Sequence, residues 1–225
     1  MKKLLCILLC VTTALSLAAC GKEKEEKPVT SDTKEGVLKM VEEFYGALPD
    51  SDPVSMSTFA GQQEEPGSVF SRESGKVSVS YPALKTTYYA FTENGRKYLI
   101  MDNKTAVENA TMYDAYNGTL KDTLETFIYS YFNVIEGGDD ADFKYSGTKT
   151  VTGKKDTKTT ELVHTVTGTI KEIAVVITVK GIADKDGRIT SIEFEMTAGE
   201  NHTLEKFLFT YDGVTVTLPE YKIAS

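Results

Sequence analysis

Six runs of alternating apolar and polar residues fill 143–218, at 143–151, 161–170, 173–182, 188–197, 203–211 and 214–218, and this pattern restricts the fold more than any other feature of the chain. A period of two sends successive side chains to opposite faces, as in a strand. The runs are separated by turn-forming clusters such as Asp184-Lys185-Asp186-Gly187, Ala198-Gly199-Glu200-Asn201 and Asp212-Gly213. Connections this short can join only neighbouring strands that run in opposite directions. The expected product is an antiparallel meander.

Two upstream segments carry the 3.6-residue period of a helix. Val37, Leu38, Val41, Phe44, Tyr45 and Leu48 make the first stripe, opened by Asp32 with Glu35 in the manner of a capping box and stopped by Pro49. Leu120, Leu124, Phe127, Ile128, Tyr131 and Ile135 make the second, opened by Thr119 with Asp122 after Asn117-Gly118 and closed by Gly137-Gly138. Between them Val77, Val79 and Tyr81 alternate, and 86–101 holds two β-rich runs around Glu93-Asn94-Gly95-Arg96. Asn-Gly in that setting is the strongest short-range hairpin signal. Residues 50–75 show no period; irregular chain of that length is either a functional cover or a strand that the pattern conceals. The expected fold is α+β: a strongly curved antiparallel sheet, a half-barrel, covered by two or more helices.

The first 19 residues read as an export leader: Lys2 and Lys3 are followed by an apolar or small run over 4–17 and then by Leu17-Ala18-Ala19-Cys20. The run is short of the roughly 20 residues that a spanning helix needs. The stretch resembles the lipobox of bacterial lipoproteins. That resemblance implies diacylglycerol on the Cys20 sulfur, cleavage before Cys20, and a lipid-anchored protein of the cell membrane on its extracytoplasmic side, at the cell surface or in the periplasm. Residues 20–31, rich in Lys and Glu and nearly free of apolar side chains after the cysteine, form a solvated tether, and 32–225 form one domain.

Without the leader, which carries two lysines and no acid, the formal net charge moves from -8 to -10. Such a surface speaks against nucleic acid, whose phosphates need a basic footprint, and against charge-driven adhesion to anionic lipid. Membrane attachment then falls to acyl chains, of which two are needed for a stable hold. Cys6, Cys10 and Cys20 are the only cysteines, so the domain has no disulfide, thiol nucleophile or thiolate metal ligand and is stabilised by core burial.

The order of leader, amphipathic helix, strands, second helix and long meander, closing on Val214-Thr215-Val216-Thr217-Leu218-Pro219-Glu220, resembles the LolA/LppX-like superfamily of periplasmic carriers and lipoproteins. The resemblance implies a half-barrel lidded by helices over an apolar cavity, and a protein that binds or passes an apolar ligand such as lipid. Ten Phe and twelve Tyr with no Trp fit either a packed aromatic core or such a cavity. The cavity requires Tyr89, Phe91, Tyr98, Ile100, Val175, Ile177, Phe194 and Phe209 to face Phe127 and Tyr131 across a gap. The other reading is a solid-core interaction module of the cell envelope, with its partner at the outer sheet face or at 50–75.

Further motifs read as structural. Residues 182–193 fit a calcium loop only in part, because Ile182 replaces the first ligand and the flanks have strand periodicity. Gly137-Gly138-Asp139-Asp140-Ala141-Asp142 reads as a solvated loop, and His164 and His202 lie in or beside different strands without metal or triad spacing. The four Asn-x-Thr or Asn-x-Ser sequons, beginning at Asn103, Asn109, Asn117 and Asn201, mark turns and strands. No catalytic residue, metal or cofactor is expected. Because acylation of the cysteine precedes cleavage in the lipoprotein pathway, Cys20→Ala should leave an uncleaved precursor that takes up no radiolabelled palmitate; continued labelling would refute the lipobox.

Overall fold

The computed structural model describes residues 26–101, 104–129, 132, 143–170 and 172–224. Cys20, the leader, Tyr131, Ile135 and the 137–142 loop lie outside them. The strands are β1 (Val29–Ser31), β2 (Val54–Ala60), β3 (Ser68–Glu73), β4 (Lys76–Tyr81), β5 (Thr86–Glu93), β6 (Arg96–Ile100), β7 (Thr105–Glu108), β8 (Lys144–Thr152), β9 (Thr159–Ile170), β10 (Ile173–Ala183), β11 (Ile189–Ala198), β12 (Asn201–Thr210) and β13 (Lys222–Ile223). The described helices are α1 (Lys34–Tyr45), α2 (Ala110–Asn117) and α3 (Thr119–Leu124), the last running into a π-helical turn at Glu125–Tyr129.

All thirteen described strands belong to one curved, unclosed sheet in the order β1-β8-β9-β10-β11-β12-β2-β3-β4-β5-β6-β7-β13. Every pairing is antiparallel except β13 on β7. The β8–β12 meander follows the alternation closely. Asn94 and Gly95, at φ 50° and 76°, form the left-handed pair that a two-residue hairpin turn needs.

Four expectations are corrected, and at 50–75 the concealed-strand alternative holds. Residues 50–75 contain β2 and β3, which carry the meander across to the β4–β6 strands through the β12–β2 pairing. Their alternation was masked because Ser55, Ser57, Ser71 and Thr58 occupy both faces, and hydroxyls there pair across strands, as Ser55 with Ser71 at 2.9 Å and Thr58 with Ser68 at 2.7 Å. Helix α1 is capped by Thr33, one residue after Asp32; Thr33 Oγ1 accepts from the Gly36 amide at 3.2 Å. An additional helix, α2, precedes the expected one, capped by Asn109 through the Met112 amide. Residues 214–218 are not a strand: the segment crosses to Glu73, whose carboxylate accepts from the Val216 amide at 2.8 Å, and ends in β13. Val29–Ser31, assigned above to the tether, pairs with β8.

Helix α1 packs on β8–β10 through Val37, Met40, Val41 and Tyr45, all buried. Glycines on the strands admit it. A Cβ at Gly147 would lie 3.2 Å from Val37, and one at Gly181 would collide with the Tyr45 hydroxyl and sit 2.6 Å from the Phe44 ring.

The core row Val54–Arg72–Val77 contains one cation: Arg72 of β3, flanked by two fully buried valines. Its guanidinium donates to Ser51 O from Nε (3.2 Å) and Nη2, to Pro49 O (2.7 Å) and to Asn117 O (3.4 Å). Among the described residues no carboxylate lies within ion-pair distance of it. These carbonyls end the short 3-10 turn Leu48–Asp50 and helix α2, where backbone dipoles present negative charge. Arg72→Met should therefore cost about 2–4 kcal/mol in urea melts, since it strands three desolvated carbonyls. Arg72→Lys should recover part of this, because an ammonium cannot serve the same fan of acceptors. A methionine variant as stable as the parent would contradict the assignment.

Candidate functional site

Of the ten residues proposed to line a cavity, the nine that are described do not surround one space. Val175, Ile177, Phe194 and Phe209 are buried in the main core, and Phe127 packs against them from the π-helical turn. Phe127 meets the sheet directly, its ring 5.4 Å from Phe194 and 5.0 Å from Phe207. Those are contact distances for aromatic rings, not a gap. Phe91, Tyr98 and Ile100 belong to a separate cluster with Ala106, against which Tyr89, Leu218 and Tyr221 pack. Register explains the separation: Phe91 pairs with Tyr98 and Tyr89 with Ile100 on one face of the β5–β6 hairpin, while Ala90 pairs with Leu99 on the face of the main core. The C-terminal segment covers the second cluster, with Tyr221 5.0 Å from the Phe91 ring.

A cleft of substantial size lies elsewhere. Between α1 and the α3–π-turn segment runs a cleft of about 510 Å³. Leu38 and Glu42, one helical turn apart on α1, face Lys121, Leu124, Glu125 and Tyr129. Tyr45, Leu124 and Phe132, each 3% exposed or less, make an apolar floor. The rim is charged, and Lys121 pairs with Glu125 at 3.6 Å. Burial, and after it the Glu42 carboxylate, raises the Tyr129 phenol above its ordinary range. A second space of about 270 Å³ separates β2–β4 and β12 from α2 and α3; Phe127 and Tyr116 line it beside Glu205, whose carboxyl is raised by burial.

Below the cleft is a cluster of rings. His164 lies 6.3 Å from Tyr45 and 6.4 Å from Phe132, which in turn stacks on Tyr145 at 6.2 Å. Burial raises the Tyr45 phenol far above its ordinary value, with a smaller contribution from Tyr129, and the Tyr45 hydroxyl has no hydrogen-bond partner among the described residues. Burial also depresses His164 to about 3, so it is neutral at pH 7.

The remaining motifs behave as turn and cap chemistry. Asp184 Oδ1 accepts from the Asp186 and Arg188 amides at 2.9 Å each, closing the β10–β11 turn. His202 pairs with Glu195 at 2.9 Å on the outer sheet face, the face opposite that of His164. Among the described residues no group of three His, Cys, Asp or Glu is placed to hold a metal ion. Sequence reasoning missed the cleft residues Glu42, Lys121 and Tyr129. The only trace was that charged residues interrupt each apolar stripe at helical spacing, and no pattern within one helix shows which helix it will face. No family model, curated protein or solved structure matches the chain.

His164 ties pH to stability. Its folded value lies below the ordinary 6.5, so below that pH the unfolded chain binds a proton that the native state refuses. Stability is thus present above about pH 6.5 and is lost as pH falls toward 3. Between pH 7 and 5 the parent should lose about 2 kcal/mol more than His164→Phe in urea melts, the carboxylate contributions being common to both. Equal pH dependence in the two proteins would rule this out.

Proposed function

We propose that the protein is a lipid-anchored, extracytoplasmic, non-enzymatic binding protein that takes up a single-chain amphiphile or other small apolar ligand in the cleft between α1 and α3. The observation that carries this reading is the cleft itself: about 510 Å³, within the size range of small-ligand sites, with an apolar floor and a rim of both charge signs. Leu38, Tyr45, Leu124 and Phe132 would hold the chain; Glu42, Lys121 and Glu125 would meet a polar head at the mouth. The smaller space under α2 falls below that size range. In this reading the helices act as a cover for the sheet, and the resemblance to LolA/LppX-like proteins supports an apolar ligand of lipid type.

The lipobox-like Leu17-Ala18-Ala19-Cys20 supports attachment to the membrane through acyl chains, and the acidic mature chain supports a role without nucleic acid. Assignment as a non-enzyme rests on the two imidazoles: His164 is sealed among rings on one face of the sheet and His202 sits on the other, so they cannot serve one site. No cofactor enters the proposal.

Leu38 is only half-buried and borders the cleft, so Leu38→Trp should fill the space without disturbing the core. For the chain from Gly21 onward, which retains every described element, a fluorescent fatty acid should bind saturably and with little dependence on salt, because apolar burial is unaffected by screening. The tryptophan variant should lose that binding while keeping its circular dichroism and melting point. Absence of uptake in the parent, or undiminished uptake in the variant, would end the proposal.

A further inference from the structure

The β2–β3 loop and the outer face of β11, β12 and β2 form a second recessed surface that the cleft does not use. The β12–β2 register sets Phe59 opposite Lys206, with Glu193 of β11 opposite Lys206 on the far side. Leu204 and Leu208 flank Lys206 at the same-face spacing of two. The loop is fastened at both ends, by the Gly61 amide to Leu204 O at 2.7 Å and the Gly67 amide to Thr58 O at 2.8 Å. Gln62, Gln63 and Glu64 rise beside Phe59 to wall a recess of about 450 Å³. Across Gly61 and Gln62 a further recess of about 300 Å³ continues along His202, Thr203 and Glu205. The two share Gly61, Gln62 and Leu204, so they adjoin as one elongated groove.

We propose that this groove binds a neutral polysaccharide chain, with the half-exposed Phe59 ring as its platform and the Gln62 and Gln63 amides as its hydrogen-bonding wall. A pyranose has an apolar C–H face and a rim of hydroxyls. The first matches Phe59 and Leu208, and the second matches planar amides, which offer a donor beside an acceptor, and carboxylates, which accept from two hydroxyls. Two adjoining recesses suit a chain of repeating units better than a single small molecule. Charge selects among polymers: Glu64 and Glu193 outnumber Lys206 along the groove, so a phosphate- or uronate-bearing chain would be repelled. β1 and β2 run in the same direction across the sheet, so the chain enters β1 at one end while the loop leaves β2 at the other. The binding proposal itself stands apart from both the anchor and the cleft.

The test is titration of the full chain in non-ionic detergent with cellohexaose, chitohexaose and mannohexaose, beside polyglycerol phosphate as the anionic comparison and a random peptide library. At least one neutral hexasaccharide should bind saturably. Phe59→Ala and Gln62→Ala should each weaken it about tenfold, the loss of one stacked ring or one hydrogen-bonding side chain, with circular dichroism unchanged. Leu38→Trp should leave it intact, which separates this groove from the cleft. Binding of none of the three hexasaccharides, binding insensitive to both groove variants, or capture of only the anionic polymer or of peptides would overturn the proposal.

Discussion

The Arg72 guanidinium joins three parts of the chain: the strand that carries it, the turn that leaves α1, and the C-terminal end of α2. A cation in a row of buried valines is expensive unless polar atoms surround it. Here the compensation comes from backbone carbonyls at two helix ends, groups left without partners when a helix stops. Burial therefore works in both directions. The carbonyls need a donor because α2 and the 3-10 turn end inside the protein, and the arginine needs acceptors because β3 is central. This exchange fastens the C-terminal end of α2, while buried Tyr113, with its hydroxyl donating to Gly75 O, seats the helix on the sheet.

How far the sequence discloses the fold depends on whether each segment has one buried face or two. The β8–β12 meander alternates cleanly, and its strands lie within a few residues of where the pattern puts them. The β5–β6 hairpin does not alternate, since Tyr88 through Phe91 and Tyr98 through Ile100 are continuous apolar runs. Such a run marks burial on both sides, and the structure shows the second cover: Leu218 and Tyr221 of the C-terminal segment. Choosing one face for all four hairpin residues placed them against Phe127, whereas the register puts them on the opposite side. β2 and β3 were obscure for the converse reason, because hydroxyls that hydrogen-bond across strands occupy positions where apolar residues would have revealed a period.

The candidate sites were less legible than the strands. Phe127 and Phe194 belong together, as their spacing implied, but they meet ring to ring. Whether facing apolar surfaces close or stay apart depends on the separation of elements, to which periodicity is blind. The cleft between α1 and α3 arises from such a separation: the helices approach through the sheet beneath them, and Pro49 and the π-helical turn end each stripe before the partner is reached. A π-helical turn shifts the following side chains round the helix axis. Phe127 and Tyr129, two residues and so about half a turn apart, face the sheet and the cleft respectively.

These same constraints assign different tolerances to the two faces of the sheet. On the core face, Gly147 and Gly181 hold α1 so close that a single added carbon meets a side chain of the helix, and His164 lies in the same layer. Close-packed interiors transmit such changes because they have few voids to absorb them. Among the described residues the outer face has no such layer along β8–β12, where Thr165 and Thr178 pair with each other and Lys180 with Glu161 in partial contact with solvent. Substitutions there alter surface chemistry without moving a helix. A recognition surface built on that face, as at Phe59 and Lys206, can therefore change with little cost to the fold. The cleft, whose walls are the helices, is coupled to the packing of α1 and so to the glycines beneath it.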